Sequence, residues 1–181
     1  MAGKRKVSFL RFGISFVVLV ALLLIWWLFI SGEFSVLEII SGSMSPRYEV
    51  GDRLIVRRYD GWVVTRGDLI VIESPEEDGS LLLKRVAALP GDLVQIHDGH
   101  IYVNGELDPA PDPAYDWYET DMMSWKLKDD QYFLLGDNRE KSYDSRNFGP
   151  VSESKFRGYP VYRLGPAGRR GPLPEGQPAA Q

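Results

Sequence analysis

Hydrophobic positions along the chain form one long uninterrupted run followed by many short ones. The long run covers residues 13–30 and contains no ionisable side chain. At about 1.5 Å per residue it makes an α-helix about 27 Å long, close to the hydrocarbon thickness of a bilayer. Basic residues precede it without any acid: Lys4, Arg5, Lys6 and Arg11. Because basic flanks stay in the cytoplasm, residues 1–33 are predicted to be a single-pass anchor in the cell membrane, with a cytoplasmic N-terminus and an extracytoplasmic remainder.

A cleaved signal peptide is the alternative for this segment. Signal peptides have an apolar core of roughly 7–15 residues and a small-x-small cleavage site. The run here is longer, and the residues that follow it, Ser31 to Phe34, lack an Ala-x-Ala pattern. The sequence therefore favours an anchor that is retained.

Short hydrophobic runs separated by Gly, Asp and Pro fill residues 34–163. They have the length and the Ile, Val, Leu and Tyr content of β-strands. Between two of them, Asp98-Gly99 is typical of a hairpin turn. No long helical period interrupts them, so one mainly β domain is predicted over 34–163.

Two segments break this pattern. Residues 105–130 include six acidic and no basic side chains from Glu106 to Asp121, and we expect an exposed excursion there. Residues 164–181 are rich in Gly and Pro, which predicts a disordered tail. Neither segment is expected to form a second domain.

Charge and composition exclude several functions. Residues 34–163 hold 15 Lys and Arg against 23 Asp and Glu, a balance unsuited to binding nucleic acid. The absence of cysteine excludes disulfides, thiol nucleophiles and thiolate metal sites. The two histidines, His97 and His100, flank the hairpin turn, and no phosphate-binding glycine loop is present. We therefore expect no metal, no cofactor and no nucleic-acid partner.

Candidate chemistry begins with two serines in the segment Ser41-Gly42-Ser43-Met44-Ser45-Pro46. Ser41 and Ser43 project to the same side of an extended chain, so one hydroxyl can be a nucleophile and the other a donor beside it. The alternative is a linker leaving the membrane. Several nearby residues are too apolar for a solvated linker, namely Leu37, Ile39, Ile40 and Met44.

A lysine inside an apolar strand is the second candidate. Lys84 lies in Leu81-Leu82-Leu83-Lys84-Arg85-Val86. If it points into the core, desolvation lowers the pKa of its amine, which can then take a proton from a serine. An outward-facing strand lysine is the alternative. Strand alternation places Lys84 and Arg85 on opposite faces, so at most one of them is easily buried.

A third segment, residues 136–150, follows an apolar strand and is dense in polar side chains of both charge signs. By itself it fits either a solvated loop or an ion-pair network. In this order and behind an anchor, the three segments resemble bacterial type I signal peptidases, over about residues 34–163. The resemblance rests on Ser41 to Pro46; Lys84-Arg85-Val86 with Leu89-Pro90-Gly91-Asp92; and Gly136 to Arg139 with Ser142 and Asp144-Ser145-Arg146.

The resemblance implies a serine–lysine endopeptidase. It implies that Ser43 is the acylating nucleophile and Lys84 the general base that deprotonates it. The Ser41 hydroxyl and the Ser43 backbone N–H are expected to form the oxyanion hole, and Ser142 to hold Lys84 in position.

The same resemblance implies structural ion pairs that hold the third segment against the site. One joins Asp144 to Arg146. Another joins Asp137 to either Arg85 or Arg139, and the sequence leaves that choice open.

A largely antiparallel β fold is also implied, with a substrate bound as an added strand. The substrates are expected to be signal peptides of exported preproteins with Ala-x-Ala-like sites, met at the bilayer near the export machinery. Ser43 lies 13 residues after Ile30, which keeps it close to the membrane. Shallow pockets for small residues are expected to be lined by Leu37, Ile39, Ile40, Met44, Leu82, Leu83 and Tyr143.

The sequence departs from the family's pattern near the implied site. Ile40 stands where many members have Pro, and Arg47 where Thr is usual. Glu140-Lys141 replaces Asp-Asn, and Tyr143 is bulkier than the small residue often found there, which narrows the pocket. These changes affect substrate preference more than chemistry.

Other functions remain as hypotheses. One is a catalytically silent, membrane-tethered β module that binds exported chains. Another is a peptidase dedicated to one set of cargo, such as pilus or conjugation proteins. Repressor-type autoproteases also use a serine–lysine pair, but the anchor and the lack of a DNA-binding segment disfavour them.

Overall fold

The computed structural model describes residues 2–76, 79–97, 100–108 and 122–173, with side chains from residue 13 onward except those of 28 and 29. Two α-helices are α1 (Ala2–Ile30) and α2 (Ser145–Phe148). The strands are β1 (Phe34–Glu38), β2 (Arg53–Arg58), β3 (Leu69–Glu73), β4 (Leu81–Ala88), β5 (Leu93–His97), β6 (His100–Val103), β7 (Glu106–Leu107), β8 (Met123–Lys126), β9 (Gln131–Leu135), β10 (Val151–Ser152), β11 (Phe156–Gly165) and β12 (Gly171–Pro172).

The chain divides into two compact units, residues 1–35 and 36–181. The long hydrophobic run lies in α1 of the first unit, as a helix of 29 residues. Across the described residues, no helix reaches the combined length and apolarity required to span a membrane. The predicted single-pass helix is therefore not confirmed.

The second unit is built on an eight-stranded sheet. Its strand order is β1-β2-β11-β3-β4-β9-β10, and β12 pairs with β11 beside this path. The pairs of β11 with β2 and β3, of β3 with β4, and of β4 with β9 are all antiparallel. The prediction of a mainly β, antiparallel fold is confirmed.

A smaller sheet has the order β7-β6-β5-β8. Its β5–β6 hairpin brings His97 opposite His100, and His97 stacks on Tyr102 with ring centroids 4.2 Å apart. Both histidines therefore lie at the hairpin end that the sequence indicated. Most of the acidic excursion, residues 109–121, lies outside the described residues.

Strand alternation along β4 separates the core into two sides. Leu83 belongs to a buried cluster that includes Met44 and Tyr48. Leu82 packs instead against a cluster that includes Val86 and Ile70. Successive side chains of a strand point to opposite faces, so neighbours on β4 serve different parts of the domain.

Part of the predicted disordered tail is structured. Gly165 completes β11, residues 167–169 form a 3₁₀ turn, and β12 pairs with β11. Leu173 packs against the core cluster of Met44 and Tyr48. The pairing of β12 and the arginines of this segment supply contacts that Gly and Pro content alone does not reveal. Residues 174–181 lie outside the described residues.

Candidate active site

The two serines lie on a tight turn that the core anchors. Gly42–Met44 form a 3₁₀ turn after β1, and the N–H of Tyr48 donates to the carbonyl of Met44 (2.8 Å). Met44 and Tyr48 are fully buried in one cluster. Because these apolar side chains point into the core, the polar residues between them are fixed at its surface.

The hydroxyls of Ser41 and Ser43 contact each other, with their Oγ atoms 3.2 Å apart. Ser41 is exposed, whereas Ser43 is buried. Ser41 is extended, but Gly42–Met44 form a 3₁₀ turn, so this turn brings the two hydroxyls together and not the extended chain that the sequence interpretation assumed. This is the arrangement that a nucleophile and an adjacent hydroxyl donor require.

Lys84 is buried in the middle of β4, with 2 % of its surface exposed. Its Nζ donates to Oγ of Ser142 at 3.0 Å. Burial lowers the pKa of the Lys84 amine from 10.5 to about 8, against the opposing effect of Asp144. The alternative of an outward-facing lysine is therefore wrong. With this pKa, a large fraction of the Lys84 amine is neutral at mildly alkaline pH.

Gly136 brings the serine turn against Ser142. A Cβ on this glycine would lie 2.5 Å from the carbonyl oxygen of Ser43 and 2.2 Å from Oγ of Ser142, so no larger residue fits. The N–H of Asn138 donates to that same Ser43 carbonyl at 2.9 Å. Ser43 and Ser142 are thus neighbours across one glycine, and Ser142 in turn holds Lys84.

No hydrogen bond joins Ser43 directly to Lys84 among the described residues. The Ser43 hydroxyl contacts Ser41, and the lysine amine contacts Ser142. Transfer of a proton from serine to lysine therefore requires the Ser43 hydroxyl to turn away from Ser41.

Asp144 organises the third segment from a fully buried position. It caps α2 and accepts from both Nε and Nη2 of Arg146 at 2.9 and 3.0 Å. It also accepts from the N–H of Gly136 at 2.9 Å. Burial raises the pKa of this carboxyl, but hydrogen bonds from Arg146, Gly136 and Ser142 outweigh burial and hold the pKa below its ordinary value. Asp144 is therefore ionised, and its hydrogen bonds hold Gly136 and Arg146 in place.

The other face of β4 carries a different ion pair. Arg85 donates through Nε and Nη2 to the two carboxylate oxygens of Asp137, each at 2.7 Å. Arg139 pairs with Asp108 at 2.7 Å. Of the two partners considered for Asp137, the structure places Arg85 in the bidentate arrangement.

The expected pocket residues are not all brought together. Four of them share one cluster: Leu37, Ile39, Met44 and Leu83. Leu82 packs in the other cluster, because it precedes Leu83 on the same strand. Ile40 is 81 % exposed and Tyr143 is 49 % exposed.

A cleft of about 800 Å³ lies at the ion pairs, lined by Arg85, Asp137 and Arg139 among others. The four residues of the expected catalytic set do not line it.

Comparison with known proteins identifies the family of the chain. The family model described as "Signal peptidase, peptidase S26" matches residues 9–164. The chain belongs to this family. The predicted class, a serine endopeptidase of the signal peptidase kind, is confirmed by this match and by similar proteins.

Two members of the signal peptidase family illustrate the similarity. A probable signal peptidase I-2 of Synechocystis sp. is 37% identical over 144 residues, covering 74% of this chain and 64% of that protein. The signal peptidase I of Leptolyngbya laminosa is 37% identical over 148 residues, covering 74% of this chain and 70% of that protein. A solved signal peptidase I from Enterococcus faecalis is 28% identical, covers 54% of this chain and 97% of that one, and gives a TM-score of 0.42.

Sequence reasoning gave no role to two residues that shape this candidate site. Gly136 separates Ser43 from Ser142, and the signal for it was a glycine directly after an apolar strand. Asp52, fully buried, holds the serine loop through its backbone and side chain. Asp52 stands in the run Gly51 to Val56, which fits the family's pattern, but the resemblance assigned it no role.

Proposed function

We propose that this chain is a membrane-anchored endopeptidase that removes signal peptides from exported proteins, with Ser43 as nucleophile and Lys84 as general base. The burial of Lys84 beside Ser142, with its pKa lowered to about 8, carries the proposal. A buried amine without a directly bonded carboxylate is suited to accepting a proton.

In the first step, neutral Lys84 takes the proton of the Ser43 hydroxyl while Oγ attacks the carbonyl carbon of the scissile bond. The resulting oxyanion is stabilised by the Ser41 hydroxyl and the Ser43 N–H; such a donor contributes about 3–4 kcal/mol in other proteases. The C–N bond then breaks, and the Lys84 ammonium gives its proton to the leaving amine. An ester between Ser43 and the signal peptide remains.

Water completes the reaction. Lys84, neutral again, takes a proton from a water molecule that attacks the ester carbonyl. The bond to Ser43 Oγ breaks, the serine regains a proton from Lys84, and the signal peptide leaves as a carboxylic acid that releases its proton to solvent. Asp144 stays ionised throughout, because its hydrogen bonds stabilise the charged form.

The substrate binds as an extended strand close to the serine turn. Support comes from the position of β1, which is an edge strand of the large sheet and ends shortly before Ser41. An exposed edge offers unpaired backbone groups to a peptide. Small side chains before the cut fit shallow sites formed by apolar neighbours of the turn, including Leu37 and Ile39, which share one cluster.

The membrane anchor is assigned to α1. Support comes from the 18 uncharged residues 13–30 and from the exposure of the apolar side chains on the described part of this helix. A helix that is apolar on all sides needs an apolar environment. Extraction of cell membranes at alkaline pH tests this: the chain is expected in the membrane fraction, and its release would contradict an anchor.

The catalytic assignment is tested with Ser43→Ala and Lys84→Ala in the full chain, using a preprotein with an Ala-x-Ala site and mass spectrometry of the products. Both variants are expected to lose cleavage. Ser45→Ala is a matched control, because Ser45 follows the same turn and bonds Glu49 instead of the site. Full activity of Ser43→Ala would contradict the proposal.

A further inference from the structure

Two arginines near the end of the described chain contact the loop that carries Ser43. Arg163 lies on β11, and Arg169 ends the 3₁₀ turn that follows. Nη2 of Arg163 donates to the carbonyl of Arg47 at 2.7 Å. Nη2 of Arg169 donates to the same carbonyl at 3.0 Å and approaches that of Pro46 at 3.4 Å. These acceptors lie three and four residues after the nucleophile.

Asp52 is the anion that holds both arginines. Its carboxylate is fully buried, and Oδ2 lies 3.3 Å from Nη2 of Arg169 and 3.6 Å from Nε of Arg163. The same oxygen accepts from the N–H of Glu49 at 3.0 Å. A buried carboxylate is costly unless it is paired, so the arginines and Asp52 depend on each other.

Asp52 also ties the two ends of the serine loop together. Its carbonyl accepts from the N–H of Ile39, and the carbonyl of Ile39 accepts from the N–H of Gly51, each at 2.8 Å. The loop from Ile39 to Asp52 is thereby closed at its base. The only serines within it are Ser41, Ser43 and Ser45.

Arg163 makes a further contact with this loop. Its guanidinium lies 4.9 Å from the ring centroid of Tyr48, a cation–π geometry. Tyr48 is fully buried and its N–H donates to the carbonyl of Met44, the residue after the nucleophile. Arg163 therefore contacts the serine loop at two places, the buried ring of Tyr48 and the carbonyl of Arg47, where the chain leaves the serine turn.

We propose that Arg163 and Arg169 are positioning residues, which with Asp52 fix the serine loop so that Ser43 is aligned with Lys84. The inference rests on the proposed role of Ser43. Neither arginine touches the reacting atoms. Their effect is on geometry. Without their hydrogen bonds to the carbonyl of Arg47, the serine loop moves more freely, and the Ser43 hydroxyl and N–H spend less time in the positions that the reaction needs.

The experiment compares Arg169→Ala with Arg170→Ala in the full chain in detergent, measuring kcat, KM and Tm on one Ala-x-Ala peptide. Arg170 is a matched control, since it is adjacent and its Nε bonds the carbonyl of Leu164 and not the serine loop. Misplacement of reacting groups by about 1 Å costs up to 100-fold. We expect Arg169→Ala to lower kcat by about 10- to 100-fold with KM within about twofold, and Arg170→Ala to leave both unchanged.

Two further measurements separate positioning from loss of folded protein. Assays are run well below the Tm of each variant, so that a merely destabilised enzyme retains its kcat. Arg169→Lys, which keeps the charge near Asp52 but loses the planar fork, is expected to recover part of kcat. Should Arg169→Ala fail to fold, Arg169→Gln replaces it, because it keeps a donor and most of the stem.

An Arg169 variant that is folded and has the wild-type kcat overturns the positioning role. If Ser43→Ala is inactive in the same assay, only this inference fails and the catalytic assignment stands. If Ser43→Ala is active, the catalytic assignment fails first. An equal loss in Arg170→Ala also overturns the inference, because the effect is then not specific to contacts with the loop.

Discussion

Lys84 and Arg85 are adjacent basic residues on one strand, and they face different environments. Arg85 is half-buried and bound by both oxygens of Asp137 at 2.7 Å, which keeps it charged. Lys84 is buried more deeply and bonded only to the Ser142 hydroxyl among described residues, and burial lowers its pKa to about 8. The comparison teaches that burial and the bonded partner set the pKa of a basic side chain, because a carboxylate keeps Arg85 charged whereas burial beside a hydroxyl lowers the pKa of Lys84.

The largest expected effect concerns whether the side chain at position 84 can lose its proton. Lys84→Arg keeps a cation in place but cannot be deprotonated near neutral pH, so it cannot act as a base. We expect cleavage to fall by at least about 10⁴-fold, as for loss of a catalytic base in serine proteases. Peptide kinetics measure this. Activity within tenfold of wild type would mean that Lys84 is not the base.

Ser142→Ala tests how Lys84 is held. Removing its hydroxyl takes away the described acceptor of the lysine amine and one hydrogen bond to Asp144. We expect kcat to fall by about 100-fold and Tm to fall as well, because the buried Lys84 amine and Asp144 each lose a hydrogen bond. Ser145→Ala is an informative control, because the Ser145 hydroxyl bonds the N–H of Leu134 instead of the lysine. A larger loss in the control would contradict a specific role for Ser142.

Arg85→Ala is expected to act mainly on stability. It leaves Asp137, with 17% of its side chain exposed, without its bidentate partner. The cost is about 2 kcal/mol in the free energy of unfolding, reduced from the value for a fully buried pair because both groups touch solvent. Denaturant unfolding measures this, with Arg66→Ala as the comparison. Arg66 pairs with Asp92, and its side chain is 42% exposed against 20% for Arg85. Equal effects would indicate that burial of the pair is unimportant.

The pH dependence of kcat/KM tests the comparison without a substitution. Only neutral Lys84 accepts the serine proton, so kcat/KM is expected to rise about tenfold per pH unit and to level off near pH 8, where the pKa lies. Stability follows the same group: the folded pKa is below the unfolded one, so burial of Lys84 costs most below pH 8 and less as pH rises toward 10.5. A profile without an inflection between pH 7 and 9 would contradict this assignment.

The smallest expected effect concerns Lys141, a cation outside this pair. The methylene Cδ of Lys141 lies 3.9 Å from the position of a Gly42 Cβ, on the serine turn. The side chain is exposed, so its charge is screened by solvent. Lys141→Ala is expected to change kcat/KM by no more than about threefold, and by less at high salt. A tenfold loss would give this lysine a direct part in the site.

The candidate catalytic residues could be named from sequence because three segments together resemble one family. The local signals, a lysine inside an apolar strand and two serines two positions apart, left a strand lysine and a linker as alternatives. Leu82 was expected beside Leu83 in the pocket, yet adjacent residues on a strand cannot share a face. The partner of Asp137 was also undecided, since two arginines lay within reach along the chain.

Sequence alone determined the mainly β character, the long hydrophobic run in α1 and the residue types available for acylation, because periodicity and composition are local properties. The antiparallel arrangement was implied by the family resemblance. Only the tertiary structure decided that Lys84 is buried and that Gly136 separates Ser43 from Ser142. It alone also decided that Arg163 and Arg169 bond to the serine loop, more than a hundred residues earlier in the chain. Contacts over such separations depend on how the strands pair, which no local pattern records.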